Sequence, residues 1–125
     1  FLIADYLQLI HGRNLENRVQ EVSEISQSLK NLARELKIPL LAISQLSRAV
    51  EMRGGQRPRL ADLRESGSIE QDSDVVMFLF HQDEDDKENV TLEIAKHRNG
   101  PTGQINIRFV PERISFYPLE QKRKK

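Results

Sequence analysis

The chain has 125 residues with 19 acidic and 19 basic side chains, so it fits one small domain and its net charge indicates no partner. The absence of cysteine excludes disulfides and thiolate metal sites. The longest apolar run, Val75–Phe80, is far shorter than the ~20 residues needed to cross a bilayer, so we expect a soluble cytoplasmic protein with no membrane partner.

The first third of the chain predicts a strand, a helix and a second strand. Phe1–Ala4 is an apolar run that ends at Asp5, and Leu40–Ile43 is another that leads into Gln45. Because neither run alternates with polar residues, we expect both strands to be covered on both faces. Their order implies two parallel strands joined by a right-handed crossover. Between them lies one apolar stripe of helical spacing that stops before Pro39: Val19, Val22, Ile25, Leu29, Leu32, Ala33 and Leu36.

The rest of the chain predicts a long loop followed by a mainly antiparallel region. Leu46–Ser73 has weak periodicity and predicts a loop with short helical turns. Val75–Phe80 predicts a third buried strand. Beyond it, alternating segments flank a turn at Gly100–Gly103 and end in a short strand: Val90–Ala95, Ile105–Phe109 and Ile114–Tyr117. We place one domain over residues 1–118 and a basic, disordered tail over residues 119–125.

Two polar residues follow the apolar strands at the edge where open α/β sheets bind ligands. FLIAD, ending at Asp5, has the form of a Walker B segment, in which a carboxylate beside phosphates holds Mg²⁺ directly or through water. Gln45 can donate and accept hydrogen bonds, and so can sense a γ-phosphate or orient water. The alternatives are an Asp that caps a helix or forms a turn, and a Gln that begins a loop and bonds to the backbone.

Basic residues at two further places suit phosphate groups. Arg64 can contact a nucleic-acid backbone, and Gly67 allows close approach of the chain; the alternative is a solvated loop of weak ion pairs. Lys96 and Arg98 stand two residues apart beside a sharp turn, so in an extended chain both project to the same side. That pair suits a phosphoryl group, or alternatively keeps an edge strand soluble.

Four segments occur in one order: IADYLQLI, AISQLSR, RPRLADLRESGSIEQDSDVVMFL and AKHRNGPTG. Together they resemble successive motifs of bacterial DnaB-type replicative DNA helicases, from Phe1 to about Tyr117. LRESGSIEQDSD and KHRNGPTG are the specific parts. The resemblance implies a homo-hexameric ring that hydrolyses ATP or another nucleoside triphosphate with Mg²⁺. It also implies 5′ to 3′ movement on single-stranded DNA, unwinding of the replication fork, and a primase and a helicase loader as partners.

The resemblance also implies roles for individual residues. Asp5 matches the aspartate that acts on Mg²⁺, and Gln45 matches the glutamine that links the state of the γ-phosphate to the DNA-binding loops. The other matched positions form a loop that grips the DNA backbone and a basic pair offered in trans to the adjacent subunit's nucleotide: Arg64, Glu65 and Gly67 in the loop, and Lys96 and Arg98 in the pair.

The pattern G-x-x-x-x-G-K-[ST], which cradles phosphates, does not occur in this sequence. The family's catalytic glutamate and helical collar are expected upstream of Phe1. We therefore expect an α/β fold that is an incomplete RecA-like P-loop ATPase core, with a mostly parallel sheet, flanking helices and a C-terminal antiparallel hairpin. The missing strand would lie between the Leu40 and Val75 strands. Alone, such a chain is predicted to hydrolyse no ATP.

Two other functions stay open on the sequence alone. The first is a RecA-like ATPase of the recombination type, which shares the fold but has no helical collar upstream. The second is a non-catalytic DNA-binding module that kept the fold and lost ATP hydrolysis. The sequence upstream of Phe1 would separate them, because an intact phosphate-binding loop indicates a motor.

Overall fold

The computed structural model describes residues 1–5, 18–46, 50, 57–66 and 68–119, with the side chains of residues 64–66 left out. The chain divides into two compact units, each of which is described by itself. The first contains Phe1–Met52 and Arg59–Ser73, and the second contains Arg53–Pro58 and Asp74–Lys125. Of the tail predicted for residues 119–125, only Leu119 lies within the described residues.

The first unit contains the predicted strand–helix–strand arrangement. Strand β1 (Leu2–Asp5) pairs in parallel with strand β2 (Leu40–Ile43), and Leu2 lies opposite Leu40 and Asp5 opposite Ile43. Helix α1 (Arg18–Leu36) connects them along the chain. The parallel pairing, the helix and the bounds of β2 confirm the prediction. The carboxyl ends of both strands therefore lie at one edge of this sheet.

Helix α1 forms where the apolar stripe repeats at helical spacing, and it buries the middle of that stripe. Val22 and Ile25 are among its buried residues, whereas Val19 and Leu36 at the two ends are exposed. The helix ends in a Schellman motif, in which the N–H groups of Lys37 and Ile38 donate to the carbonyls of Arg34 and Ala33. Lys37 takes the left-handed backbone conformation at the end of this motif, with φ of 54°.

The predicted long loop contains two short helices in the described residues. A 3₁₀ helix, η1, spans Leu60–Ser66, and a short helix, α2, spans Ile69–Asp72. Leu63 of η1 is buried, and both short helices contact α1. The prediction of short helical turns is thus confirmed, and tertiary contacts hold those turns in place.

The second unit is a four-stranded antiparallel sheet in the order β3, β4, β5, β6. It confirms the predicted hairpin and last strand, and extends β4 to include Lys96 and His97. On one face, Thr91 donates a 3.1 Å hydrogen bond to Asn106, and on β5 and β6 the rings of Phe109 and Phe116 lie 4.8 Å apart. The strand bounds are Val75–His81, Asn89–His97, Gly103–Val110 and Ser115–Pro118.

The expectation that the apolar strands are covered on both faces is wrong for the described residues. In β3, Val76 and Phe78 are buried, but Met77 and Leu79 between them are about half exposed, at 45% and 54%. In β1, Ile3 is 55% exposed. Successive side chains of a strand point to opposite faces, and the part of the chain described here covers only one face of β3.

Among the strands that the structure describes, β2 pairs only with β1, and β3 pairs only with β4. The architecture is therefore α/β, with one parallel strand pair and one antiparallel sheet. No helix among the described residues is both long and apolar enough to cross a membrane.

Candidate functional site

Asp5 and Gln45 lie at the same edge of the β1–β2 sheet. Asp5 is the last residue of β1 and is aligned with Ile43, the last residue of β2. Gln45 follows two residues after Ile43, and both Asp5 and Gln45 are exposed. Because the two strands are parallel, their polar ends reach solvent together, as a ligand site at this edge requires.

No group of three or more His, Cys, Asp or Glu residues among the described residues is arranged to hold a metal ion. Asp5 therefore offers a single exposed carboxylate. Mg²⁺ retains several water ligands and is commonly bound through one or two carboxylates together with substrate phosphates. A lone carboxylate at a strand end fits that mode of binding and does not fit a metal site built by the protein alone.

The predicted DNA-binding loop is described only in part. The backbones of Arg64 and Glu65 lie in the second half of η1, while their side chains and the whole of Gly67 fall outside the described residues. The start of η1 is fixed by a reciprocal contact: the Arg59 N–H donates to the Asp62 carboxylate at 2.7 Å, and the Asp62 N–H donates to the Arg59 carbonyl at 2.9 Å.

Hydrogen bonds of serine residues hold the segment after this loop to α1. The sequence did not predict these bonds. The N–H of Ser68 donates to Ser23 Oγ at 3.1 Å. Asp72 Oδ2 accepts hydrogen bonds from Ser26 Oγ at 2.8 Å and from Ser68 Oγ at 2.7 Å. The only signal in the sequence is that Ser23 and Ser26 lie one helical turn apart, which places them on one face of α1. The proposed loop thus begins and ends at anchored residues.

Lys96 lies at a β-bulge. The pairing of β3 with β4 shifts between Val76, which faces Lys96, and Met77, which faces Ile94, so Ala95 has no partner in the register. An extra residue of this kind bends the strand and re-aims the side chains beyond it. The bulge therefore sets the direction of the end of β4, where the predicted basic pair lies.

Arg98 follows directly after β4 and is joined twice to Asp74, the residue directly before β3. The Arg98 N–H donates to the Asp74 carbonyl at 2.8 Å, which continues the ladder beyond the pair of Val75 and His97. Arg98 Nη1 also donates to Asp74 Oδ1 at 2.7 Å. Lys96 thus lies in β4, whereas Arg98 begins the turn that follows, and the shared side of the two side chains stays a prediction.

The turn after Arg98 is closed by His97. The Nδ1 atom of the His97 ring lies 3.1 Å from the Pro101 carbonyl oxygen, within hydrogen-bond distance. The ring also lies against Gly100, where a Cβ atom would come within 2.5 Å of Nδ1. A larger residue at position 100 would therefore clash with the His97 ring, so Gly is favoured there for steric reasons and not for a positive φ.

The structure brings the predicted site residues together in two groups. Asp5 and Gln45 share the sheet edge of the first unit. The backbones of Arg64 and Glu65 belong to the same unit, in η1. Lys96 and Arg98 share the end of the β4–β5 hairpin in the second unit.

The chain is similar to known proteins over nearly its whole length. A family model described as the DnaB-like helicase C-terminal domain matches residues 1–118. The replicative DNA helicase DnaB of Geobacillus stearothermophilus is 52% identical over 128 residues, which cover 97% of this chain and 28% of that protein. This chain therefore spans less than a third of the length of that curated relative.

Two solved structures share the fold at a TM-score of 0.85 and 43% sequence identity, and each covers 95% of this chain. One is an ATPase domain, of which the match covers 44%. The other is described as a DnaB-like replicative helicase and its interactions with primase, and the match covers 31% of it. These likenesses confirm the predicted RecA-like α/β class and do not favour a recombination-type ATPase. The chain belongs to the DnaB-like helicase C-terminal domain family.

Proposed function

We propose that this chain is part of a hexameric, ATP-dependent replicative DNA helicase that moves 5′ to 3′ on single-stranded DNA and unwinds the replication fork in the bacterial cytoplasm. The observation that carries the proposal is the match of nearly the whole chain to a replicative DNA helicase at 52% identity. The parallel strands β1 and β2 support it, because a carboxylate and an amide follow them at one edge of the sheet, which is the kind of edge where open α/β sheets bind ligands.

In this proposal the edge formed by Asp5 and Gln45 faces the nucleotide. The Asp5 carboxylate would hold Mg²⁺, directly or through its water ligands, and the pairing of β1 with β2 fixes the backbone that carries it. Mg²⁺ bound with ATP would neutralise charge on the phosphate oxygens. Gln45 senses the γ-phosphate through its amide, which can donate to an oxygen and accept from water. Gln45 precedes η1 along the chain, so a change at the γ-phosphate can be passed on to the proposed DNA-binding loop.

Lys96 and Arg98 are proposed to act on the nucleotide of the adjacent subunit. A cationic pair at the end of a closed hairpin stabilises the charge that develops on the transferred phosphoryl group, and its ladder bond and closed turn limit the reorganisation needed. An Arg supplied in this way is worth about 10³–10⁵ in rate. Hydrolysis would then require a ring, because no subunit completes its own site.

Arg64, Glu65 and Gly67 are proposed to form the loop that contacts single-stranded DNA. A backbone contact by Arg64 displaces counterions without reading sequence. Changing Arg64 to Ala should weaken binding to single-stranded DNA of any sequence to a similar degree. It should also reduce the slope of log binding constant against log salt concentration by about one. An unchanged salt slope would argue against contact with phosphate. Primase and a helicase loader are the proposed protein partners; primase interactions are described for the solved DnaB-like helicase.

The deciding experiment is Arg98→Ala in the full-length protein. We expect steady-state ATP hydrolysis to fall by about 10³-fold or more, while binding of a fluorescent nucleotide changes little. Arg108→Ala is the matched control, since Arg108 is a similarly exposed arginine of the same sheet, ion-paired with Glu88 at 3.3 Å. Equal loss of hydrolysis and nucleotide binding in Arg98→Ala would make Arg98 structural, and unchanged hydrolysis would rule out its catalytic role.

A further inference from the structure

Asp74 and Arg98 form a cross-strand pair at the open end of the β3–β4 hairpin. The backbone bond from the Arg98 N–H to the Asp74 carbonyl, at 2.8 Å, sets the two residues opposite each other just beyond the last paired residues of the ladder. The side chains form a second bond, in which Arg98 Nη1 donates to Asp74 Oδ1 at 2.7 Å. The same two residues are thus joined by a main-chain bond and a charge-assisted side-chain bond.

The side-chain bond is not needed to hold the strands together. The side chains of Arg98 and Asp74 are 45% and 56% exposed, and ion pairs at such positions contribute little to stability. The ladder bond and the seven paired positions of β3 and β4 already fix the backbone there. The 2.7 Å contact with the carboxylate instead gives a direction to the guanidinium, which sits on a long, rotatable side chain.

We infer that Asp74 is a positioning residue, whose carboxylate holds the Arg98 guanidinium in the orientation used on the neighbouring subunit's phosphoryl group. This inference rests on the proposed function of Arg98. The guanidinium is a planar fork with five N–H donors, and the bond from Nη1 to Asp74 uses one of them. Holding that fork in place before the neighbour's nucleotide arrives reduces the orientational entropy lost in the reaction.

The other contacts at this end of the hairpin fit such a role. His97 and Gly100 close the turn directly after Arg98, so the backbone that carries the guanidinium is fixed on that side as well. The bulge at Ala95 sets the direction of the strand that leads to it. Asp74 is then the side chain that orients Arg98, while its neighbours orient the backbone.

The test compares Asp74→Ala and Asp74→Asn in the full-length hexamer. Asp74→Ala should lower kcat for ATP roughly two- to fivefold, as expected for the loss of an exposed ion pair, and leave nucleotide KM nearly unchanged, because misplacing a catalytic group affects the reaction more than ground-state binding. Asp74→Asn keeps an oxygen that can accept a hydrogen bond from Nη1, so kcat should fall less in this variant than in Asp74→Ala. Glu88→Ala is the control: it breaks the Arg108–Glu88 ion pair, which is equally exposed and lies in the same sheet, and should leave kcat unchanged.

A double-mutant cycle separates positioning from a structural role. If Asp74 acts through Arg98, adding Asp74→Ala to Arg98→Ala should leave the residual single-turnover rate of Arg98→Ala unchanged. A further drop in the double variant would overturn the inference, as would a wild-type kcat in Asp74→Ala. If Asp74→Ala does not assemble into rings, Asp74→Leu, which is close in size to Asp and has no acceptor, carries the same cycle. Wild-type hydrolysis in Arg98→Ala would instead overturn the proposed function itself.

Discussion

Ser26 Oγ donates a 2.8 Å hydrogen bond to Asp72 Oδ2, which joins the middle of helix α1 to helix α2 across 46 residues of chain. Ser26 is only 9% exposed, so its hydroxyl would be costly to leave unpaired. The same carboxylate oxygen accepts from Ser68. The segment that follows the proposed DNA-binding loop is therefore held by a hydrogen-bonded group.

Ser26→Ala should loosen this attachment. The change removes one donor to a charged acceptor, which costs about 1.5 kcal/mol. We expect the amide protons of Ser68 and Asp72 to exchange with solvent roughly tenfold faster, because local opening becomes that much more frequent. Ser28→Ala, on an exposed part of the same helix, is the control. Equal exchange in the two variants would show that the Ser26 bond does not hold α2.

Lys37→Gly should stabilise the end of α1. Lys37 occupies the left-handed position of a Schellman motif with φ of 54°, where a side chain with Cβ is disfavoured and Gly is preferred. After allowance for the greater entropy of Gly in the unfolded chain, we expect a gain of up to about 1 kcal/mol. Chemical denaturation measures it, and Lys37→Ala should give no comparable gain. A lower midpoint for Lys37→Gly than for Lys37→Ala would contradict the assignment of the motif.

The sequence predicted those elements whose signal is local and repeated. The helical spacing between Val22 and Leu36 predicted α1, and the apolar run at Leu40 predicted β2, because periodicity and a following Pro act within one element. The alternation of Ile105 and Ile107 likewise predicted β5. The polar ends of β1 and β2 could be placed together for the same reason, since parallel strands end at one edge.

Features that depend on distant partners were not predictable. Helix α2 has only four residues, and its position follows from bonds to Ser23 and Ser26, far away in the sequence. The half-exposed face of β3 depends on what covers the sheet, which no single strand encodes. The charge and spacing of Arg98 predict a contact with phosphate, but its bond to Asp74 forms only when β3 and β4 pair.

The pKa of Asp86, at the β3–β4 connection, is held below its usual value of 3.8. The main cause is a hydrogen bond from the Asn89 side chain, followed by one from the Asn89 backbone N–H, with smaller contributions from Glu88 and the charge of His81. A lowered pKa in the folded state means that the carboxylate stabilises this connection above pH 3.8. That stabilisation is lost as pH falls through the lower, folded-state value.

Asn89→Ala should therefore move the pKa of Asp86 back toward 3.8. An NMR titration of the Asp86 carboxyl carbon measures the shift directly. His81→Gln serves as the comparison and should change the pKa much less, because the His81 charge is the smallest of the named causes. If His81→Gln had the larger effect, electrostatic attraction and not hydrogen bonding would be the principal cause.

In the proposed full-length hexamer, Gly100→Ala should lower the rate of ATP hydrolysis, although no ligand contact is proposed for residue 100. A Cβ at Gly100 would lie 2.5 Å from His97 Nδ1, so the ring would have to leave the Pro101 carbonyl oxygen and the turn after Arg98 would change shape. We expect kcat to fall about tenfold or more with nucleotide binding retained, as for other small displacements of a catalytic group.

Gly103→Ala is the matched control for this substitution, because a Cβ there would meet no atom of the described residues within 4 Å, its chain neighbours aside. It should keep wild-type kcat, although it lies only three residues further along the hairpin. Adding His97→Ala to Gly100→Ala removes the clash and should recover part of the lost rate if overlap with the ring is the cause. Full activity in Gly100→Ala would show that the turn can move without displacing Arg98. A loss that His97→Ala does not relieve would assign the effect to the backbone of the turn instead.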